Sequence, residues 1–165
     1  VGGAAAPVGW VGETGRVLVR PETDNKWGAP VEIAAEVITV NSGECPSLGG
    51  IWNGAAGRMG PSAVLRVRGI DILVTTYATY EWHDEQYRAM GLDPASYKII
   101  VAKNPMNYFM TYNDITNKFF IIDSPGPTPA TCTALTYTKM PRPFFPFDIN
   151  IEGVKPHLFG AIERT

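Results

Sequence analysis

Ala63-Val64-Leu65-Arg66-Val67-Arg68-Gly69-Ile70-Asp71-Ile72-Leu73-Val74-Thr75-Thr76 decides the fold. Apolar and polar residues alternate from Ala63 to Arg68, which is the two-residue period of a strand with one face buried. Gly69-Ile70-Asp71 breaks the run, and Ile72 to Thr76 returns as β-branched residues, so the stretch predicts a hairpin. Upstream, Val31-Glu32-Ile33-Ala34-Ala35-Glu36-Val37-Ile38-Thr39-Val40 predicts a long strand that Asn41-Ser42-Gly43 ends. Val17 to Arg20 is a shorter strand candidate running into the polar turn Pro21–Gly28.

Working outward, residues 43–61 are rich in glycine and predict a loop. His83 to Met90 predicts a helix, with acidic residues early and Gly91 after its end. Asp93-Pro94 has the form of an N-cap followed by proline at the first helical position. Lys98 to Lys103 reads as a buried-type strand, Asn107 to Thr116 as a helix, and Lys118 to Asp123 as a further strand. Ser124–Pro129 is a Pro/Gly turn, and Met140–Phe147 reads as an extended tail held by Phe144, Phe145 and Phe147. With 17 glycines and 14 prolines along 165 residues, short elements are favoured over long helices. The expectation is an α+β, β-rich single domain: a mixed or antiparallel sheet with two or three short helices.

Hydrophobic residues make up 45% and charged residues 18%, a globular balance for one domain. Net charge is −2 with no basic run, so neither nucleic acid nor anionic lipid is an expected partner. No apolar stretch nears the roughly 20 residues of a membrane span, and Val1 to Trp10 lacks the basic start of a signal peptide. A cytoplasmic location is expected. The N-terminus has no initiator Met, which suggests a piece of something longer. The two cysteines, Cys45 and Cys132, form no CxxC motif, and unpaired thiols are the expectation.

Chemistry is sparse. His83 and His157 stand in no spaced ligand motif, and a surface or packing role suits each better than metal binding. There is no GxSxG elbow, and the glycines from Gly49 to Gly60 lack the Lys-Ser/Thr of a phosphate loop. Asp71, Asp93, Asp123 and Asp148 lie beside turns, where capping explains them. Lys103, at the end of an apolar run before Asn104-Pro105, could hold an anionic or carbonyl group; a solvated lysine is the plainer reading. Tyr77, Tyr80 and Trp82, with Trp52, fit core packing or a stacking face for a small molecule, sugar or peptide. No complete catalytic site, and no cofactor site, is expected in this chain.

Several stretches taken in order resemble the C-terminal domain of the microcystinase (MlrC) family of zinc metallopeptidases. They are Val17–Gly28 with Ala29–Ile33, Gly60–Val67, Gly69–Thr76, Asp84–Pro94 running on through Tyr97–Lys103, Asp123–Thr128, and Arg142–Asp148. The resemblance implies a family domain over 17–148, flanked by an N-terminal extension at 1–16 and a tail at 149–165. It implies that zinc and the catalytic groups belong to a larger N-terminal domain, and that this domain of the same polypeptide is the main partner. A homo-oligomer is allowed as well. Departures stand at Asn107, where the family usually has His, and at Phe109, where it has Arg. Tyr77-Ala78 and Tyr80 replace polar residues that the family often carries. Lys103, Asn107 and Tyr77 are the candidate contacts at the interdomain cleft. A non-catalytic binding module and a structural or oligomerising domain remain the alternatives.

Overall fold

The computed structural model describes residues 10–19, 29–46, 52–79, 83–104, 106–124, 131–153 and 155. The chain divides into two compact units, Val1–Ile121 and Ile122–Thr165. The first carries the sheet. Strands β1 (Thr14–Val19), β2 (Val31–Asn41), β5 (Ser62–Val67) and β6 (Ile70–Thr75) form a four-stranded sheet in the order β1-β2-β5-β6. All neighbours run antiparallel. The fold is thus α+β and β-rich, as the alternating patterns require.

The expected hairpin is β5–β6, but its connection is tighter than Gly69-Ile70-Asp71. Val67 pairs with Ile70, leaving Arg68-Gly69 as a two-residue turn. Arg68 takes the positive φ, 56°, and a side chain pays for a geometry glycine would adopt freely. The register of β2 against β5 shifts between Val37 and Thr39, a bulge in its middle.

Residues 43–61 are not only a loop. Glu44–Pro46 (β3) and Ala56–Arg58 (β4) pair antiparallel as a small second sheet. Glycine composition masked it, because the pairing is made by backbone and by the close approach of Gly57 to Cys45. The polar turn at 21–28 lies outside the described residues.

Helix α1 (Glu85–Ala89) packs against β3. Met90 follows it, then Gly91 with φ 78°. Pro94–Ser96 forms a short 3-10 helix whose cap is the expected one: the Asp93 carboxylate accepts from the Ala95 N–H at 3.2 Å. Helix α2 (Tyr108–Tyr112) is shorter than the expected 107–116. Among the described residues no helix is long and apolar enough to cross a membrane.

Two clusters of buried apolar side chains stand among the described residues. Cys45, Met59, Val64 and Met90 form one, flanked by Ile38, Leu73, Ala89 and Leu92. Ala35, Val37 and Leu65 form the other, flanked by Val17, Ile33, Val67, Ile72 and Val74. Adjacent residues Val64 and Leu65 belong to different clusters, as the pleat demands.

Two strand expectations fail. Neither Lys98–Lys103 nor Lys118–Asp123 forms a strand. Ile99 is 80% exposed, Val101 72% and Phe120 88%. Their β-branched and aromatic residues carry strand propensity, yet a strand exists only with a ladder partner, and the described residues supply none.

The second unit holds a short 3-10 helix, Cys132–Ala134, and a closed turn at 142–148. Arg142 pairs with Asp148, whose carboxylate also accepts from the Phe144 N–H at 2.7 Å. The Phe147 ring lies 5.1 Å from that of Tyr137. The segment is therefore a turn rather than an extended tail, and Phe145 faces solvent. Both thiols are free, Cys45 buried and Cys132 exposed.

Candidate functional site

The junction between the sheets and α1 is fixed by polar atoms. The Asn41 amide donates to the Ala89 carbonyl at 2.8 Å, joining the end of β2 to the end of α1. Gly43 donates to Asn41 Oδ1 at 2.8 Å, and its carbonyl accepts from Met59 N–H at 2.8 Å. Gly43 has φ 72°, and a Cβ there would fall 1.9 Å from the Gly60 carbonyl oxygen. Only glycine fits.

Tyr77 stands on this junction. Its N–H donates to the Met59 carbonyl at 2.8 Å, and its ring lies where a Cβ on Gly60 would approach within 2.7 Å. The side chain is 57% exposed. Trp52 is also exposed, while Tyr80, Trp82 and His157 lie outside the described residues.

At the start of α1, His83, Asp84 and Glu85 bring three donor atoms within 4.8 Å of one another. Sequence spacing gave no such hint, because consecutive residues converge only where a helix begins. His83 Nδ1 lies 3.1 Å from Asp84 Oδ1 and 3.9 Å from Glu85 Oε2. The Arg88 guanidinium holds Asp84 Oδ2 at 2.7 Å, one helical turn away. Burial pushes the Asp84 carboxyl up, but hydrogen bonds from Arg88 and His83 outweigh it and hold it below the usual range. A zinc ion here would sit beside a guanidinium that already neutralises its carboxylate ligand. The residues do not fit the metal; they fit an ion-pair cluster that steadies the helix.

Asp71 does more than border a turn. Arg66 donates to both of its oxygens, at 2.7 and 2.8 Å, and the Tyr97 hydroxyl donates at 2.5 Å. The Arg66 hydrogen bond, opposed by burial and assisted by Tyr97, holds the Asp71 carboxyl low. Bonding to Asp71, with burial, pushes the Tyr97 phenol up. Burial, then Glu85 and Glu44, push the Cys45 thiol up, the opposite of what a reactive thiolate requires.

Lys103 is exposed and follows the segment 98–102, which is a coil rather than a strand. Asn104 is buried, and its Oδ1 accepts from the Asn107 N–H at 2.8 Å. Asn107 stands at the N-cap position of α2 with its side chain unused in capping, while its carbonyl accepts from Thr111 N–H at 3.1 Å. Asn104 is the anchoring residue that sequence reasoning passed over; a buried polar side chain before a helix was its signal. Lys103 and Asn107 thus flank one turn. The contacts of Tyr77 are instead with Met59 and Gly60.

The sequence matches the model of a known family, MlrC C-terminus, over residues 4–139. A crystal structure from Mesorhizobium sp. BNC1, described as "Putative metallopeptidase", is similar with a TM-score of 0.67 and 27% identity. The similarity covers 85% of this chain and 28% of that one, so the chain spans well under a third of that relative's length. Curated proteins give no match. With most of its residues inside the matched region, this chain belongs to the MlrC C-terminus family.

Proposed function

We propose that this chain is the accessory C-terminal domain of a metallopeptidase-like polypeptide. Hydrolysis of peptide or amide bonds belongs to a preceding domain that carries the zinc, and this chain does not catalyse alone. The observation that carries this reading is the family match over 4–139 together with the small share, 28%, that the chain covers of the Mesorhizobium protein. A cytoplasmic setting is part of this proposal. Lys103, Asn107 and Tyr77 are the residues this chain offers to the cleft.

The test compares the intact polypeptide with residues 1–165 produced alone. The intact protein is expected to hold stoichiometric zinc and to hydrolyse amide substrates, and the shorter chain to do neither. Zinc bound by the shorter chain, or an intact protein without metal, would sink the proposal. Exchanging Lys103, Asn107 or Tyr77 for Ala should then raise KM without changing zinc content.

The exposure of Tyr77 and Trp52 favours one second reading, a stacking module for a sugar or peptide. Titration with such ligands, followed by tryptophan fluorescence, decides it; a flat response counts against it.

A further inference from the structure

Resting on the reading that this chain is part of a longer polypeptide, we infer that residues 98–103 and 118–121 form the surface on which its preceding domain docks.

The first segment lies on the body with a two-residue period: Ile100 and Ala102 are half-buried while Ile99 and Val101 point outward, 80% and 72% exposed. That is the periodicity of extended chain. In the second segment Phe119 faces inward, its ring 5.4 Å from Tyr108 and 5.3 Å from Phe109, while Phe120 and Ile121 are exposed. Apart from the exposed lysines at their ends, Lys98, Lys103 and Lys118, the outward-facing residues of both segments are apolar, as the inward-facing ones are. Such a pattern encodes burial from two sides, and the described residues bury only one.

The backbone agrees. In 98–103 the Val101 carbonyl accepts from the Tyr87 hydroxyl at 3.0 Å, and in 118–121 the Lys118 N–H donates to Thr116 Oγ1 at 3.1 Å. Neither segment enters a ladder among the described residues. Among the described residues, both segments thus have peptide groups outside any ladder beside apolar side chains, the requirements for adding to a sheet edge or covering layer.

The occupant follows from length. The Mesorhizobium chain extends far beyond the 28% that this one covers. A body tethered in the same polypeptide meets the surface at an effective concentration of order millimolar, which a second copy does not match. An apolar surface left open on a lone domain would otherwise invite association.

Amide hydrogen exchange on the intact polypeptide tests this, with Ile99→Lys/Val101→Lys made in the same polypeptide. Amides of 98–103 and 118–121 are expected to exchange at least tenfold more slowly in the unmodified protein than in the double variant. The β5–β6 amides should be unchanged, and the slowing should not depend on a tenfold change in protein concentration. Fast exchange of both segments in the unmodified protein overturns the inference. So does slowing that appears only at the higher concentration, which would mean a second copy is the occupant. If the double variant unfolds, shown by fast β5–β6 exchange, Phe120→Lys is measured in the same way. Metal content is read on the same sample: slow exchange in a metal-free protein keeps the docking surface and removes the metallopeptidase reading.

Discussion

Gly43→Ala should be among the most damaging single changes in the sheet-bearing unit, and Gly91→Ala shows why. Both glycines have positive φ, 72° and 78°. A side chain in that left-handed region costs about 1–2 kcal/mol. Alanine also narrows the unfolded ensemble, returning about 0.4–1 kcal/mol, and this offset is the same at both sites. At Gly91 a Cβ meets nothing within 4 Å, so the conformational cost is the whole effect. At Gly43 the Cβ would stand 1.9 Å from the Gly60 carbonyl oxygen, backbone that cannot swing aside as a side chain would. That carbonyl accepts the buried Ser62 hydroxyl at 2.7 Å, and displacing it forfeits a bond whose loss costs about 1–3 kcal/mol. Gly43→Ala should therefore cost about 2 kcal/mol more than Gly91→Ala, a large share of the roughly 5–15 kcal/mol that holds a domain together. Urea denaturation of each variant, with unchanged slope, measures the difference as a shift in midpoint. Equal midpoints for the two variants would refute the claim that the Gly43–Gly60 approach, rather than φ alone, fixes this residue.

Asp84→Asn should lose about 1–2 kcal/mol by thermal unfolding near neutral pH, since it removes a charged acceptor from the half-exposed Arg88. The Asp84 and Asp71 carboxyls both titrate below the ordinary 3.8 when folded, so the unfolded chain takes up protons first as pH falls. Their contribution is full above that ordinary value and is lost as pH drops through the folded ones; a stability profile of Asp84→Asn should show a shallower acid limb. Met90→Ala, in the cluster with Cys45, Met59 and Val64, should cost about 2–5 kcal/mol by the same denaturation, because a fully buried side chain leaves a cavity. Arg68→Asn should raise stability by about 0.5–1 kcal/mol, since Asn tolerates a positive φ better; a lower midpoint would show that Arg68 makes a compensating contact.

The candidate site was legible only in pieces. Asp93 announced its cap because the partner is two residues away. Asp71 did not announce its pairing with Tyr97, because the two meet across 26 residues. Arg88 and Asp84 stand at helical spacing, yet no local pattern signals that the carboxylate turns from the helix N–H groups toward the guanidinium. Lys103 stands out in the sequence by its place at the end of an apolar run and Asn107 by the resemblance, where the family usually has His; Asn104 between them organises the turn by its burial, which no local pattern signals.

What the sequence by itself determined was the sheet: β1, β2 and the β5–β6 hairpin follow from alternation and from where glycine and asparagine interrupt it, all local properties. The ordered set of family stretches likewise lay in plain order along the chain. Only the tertiary structure decided that Lys98–Lys103 and Lys118–Asp123 are not strands, and that the glycine-rich loop holds a second small sheet. The physical reason is common to both. Strand propensity describes how a residue suits a pleated, buried surface, whereas a strand comes into being when another backbone answers its hydrogen bonds. Glu44–Pro46 has such a partner in Ala56–Arg58, while the two apolar segments have none among the described residues.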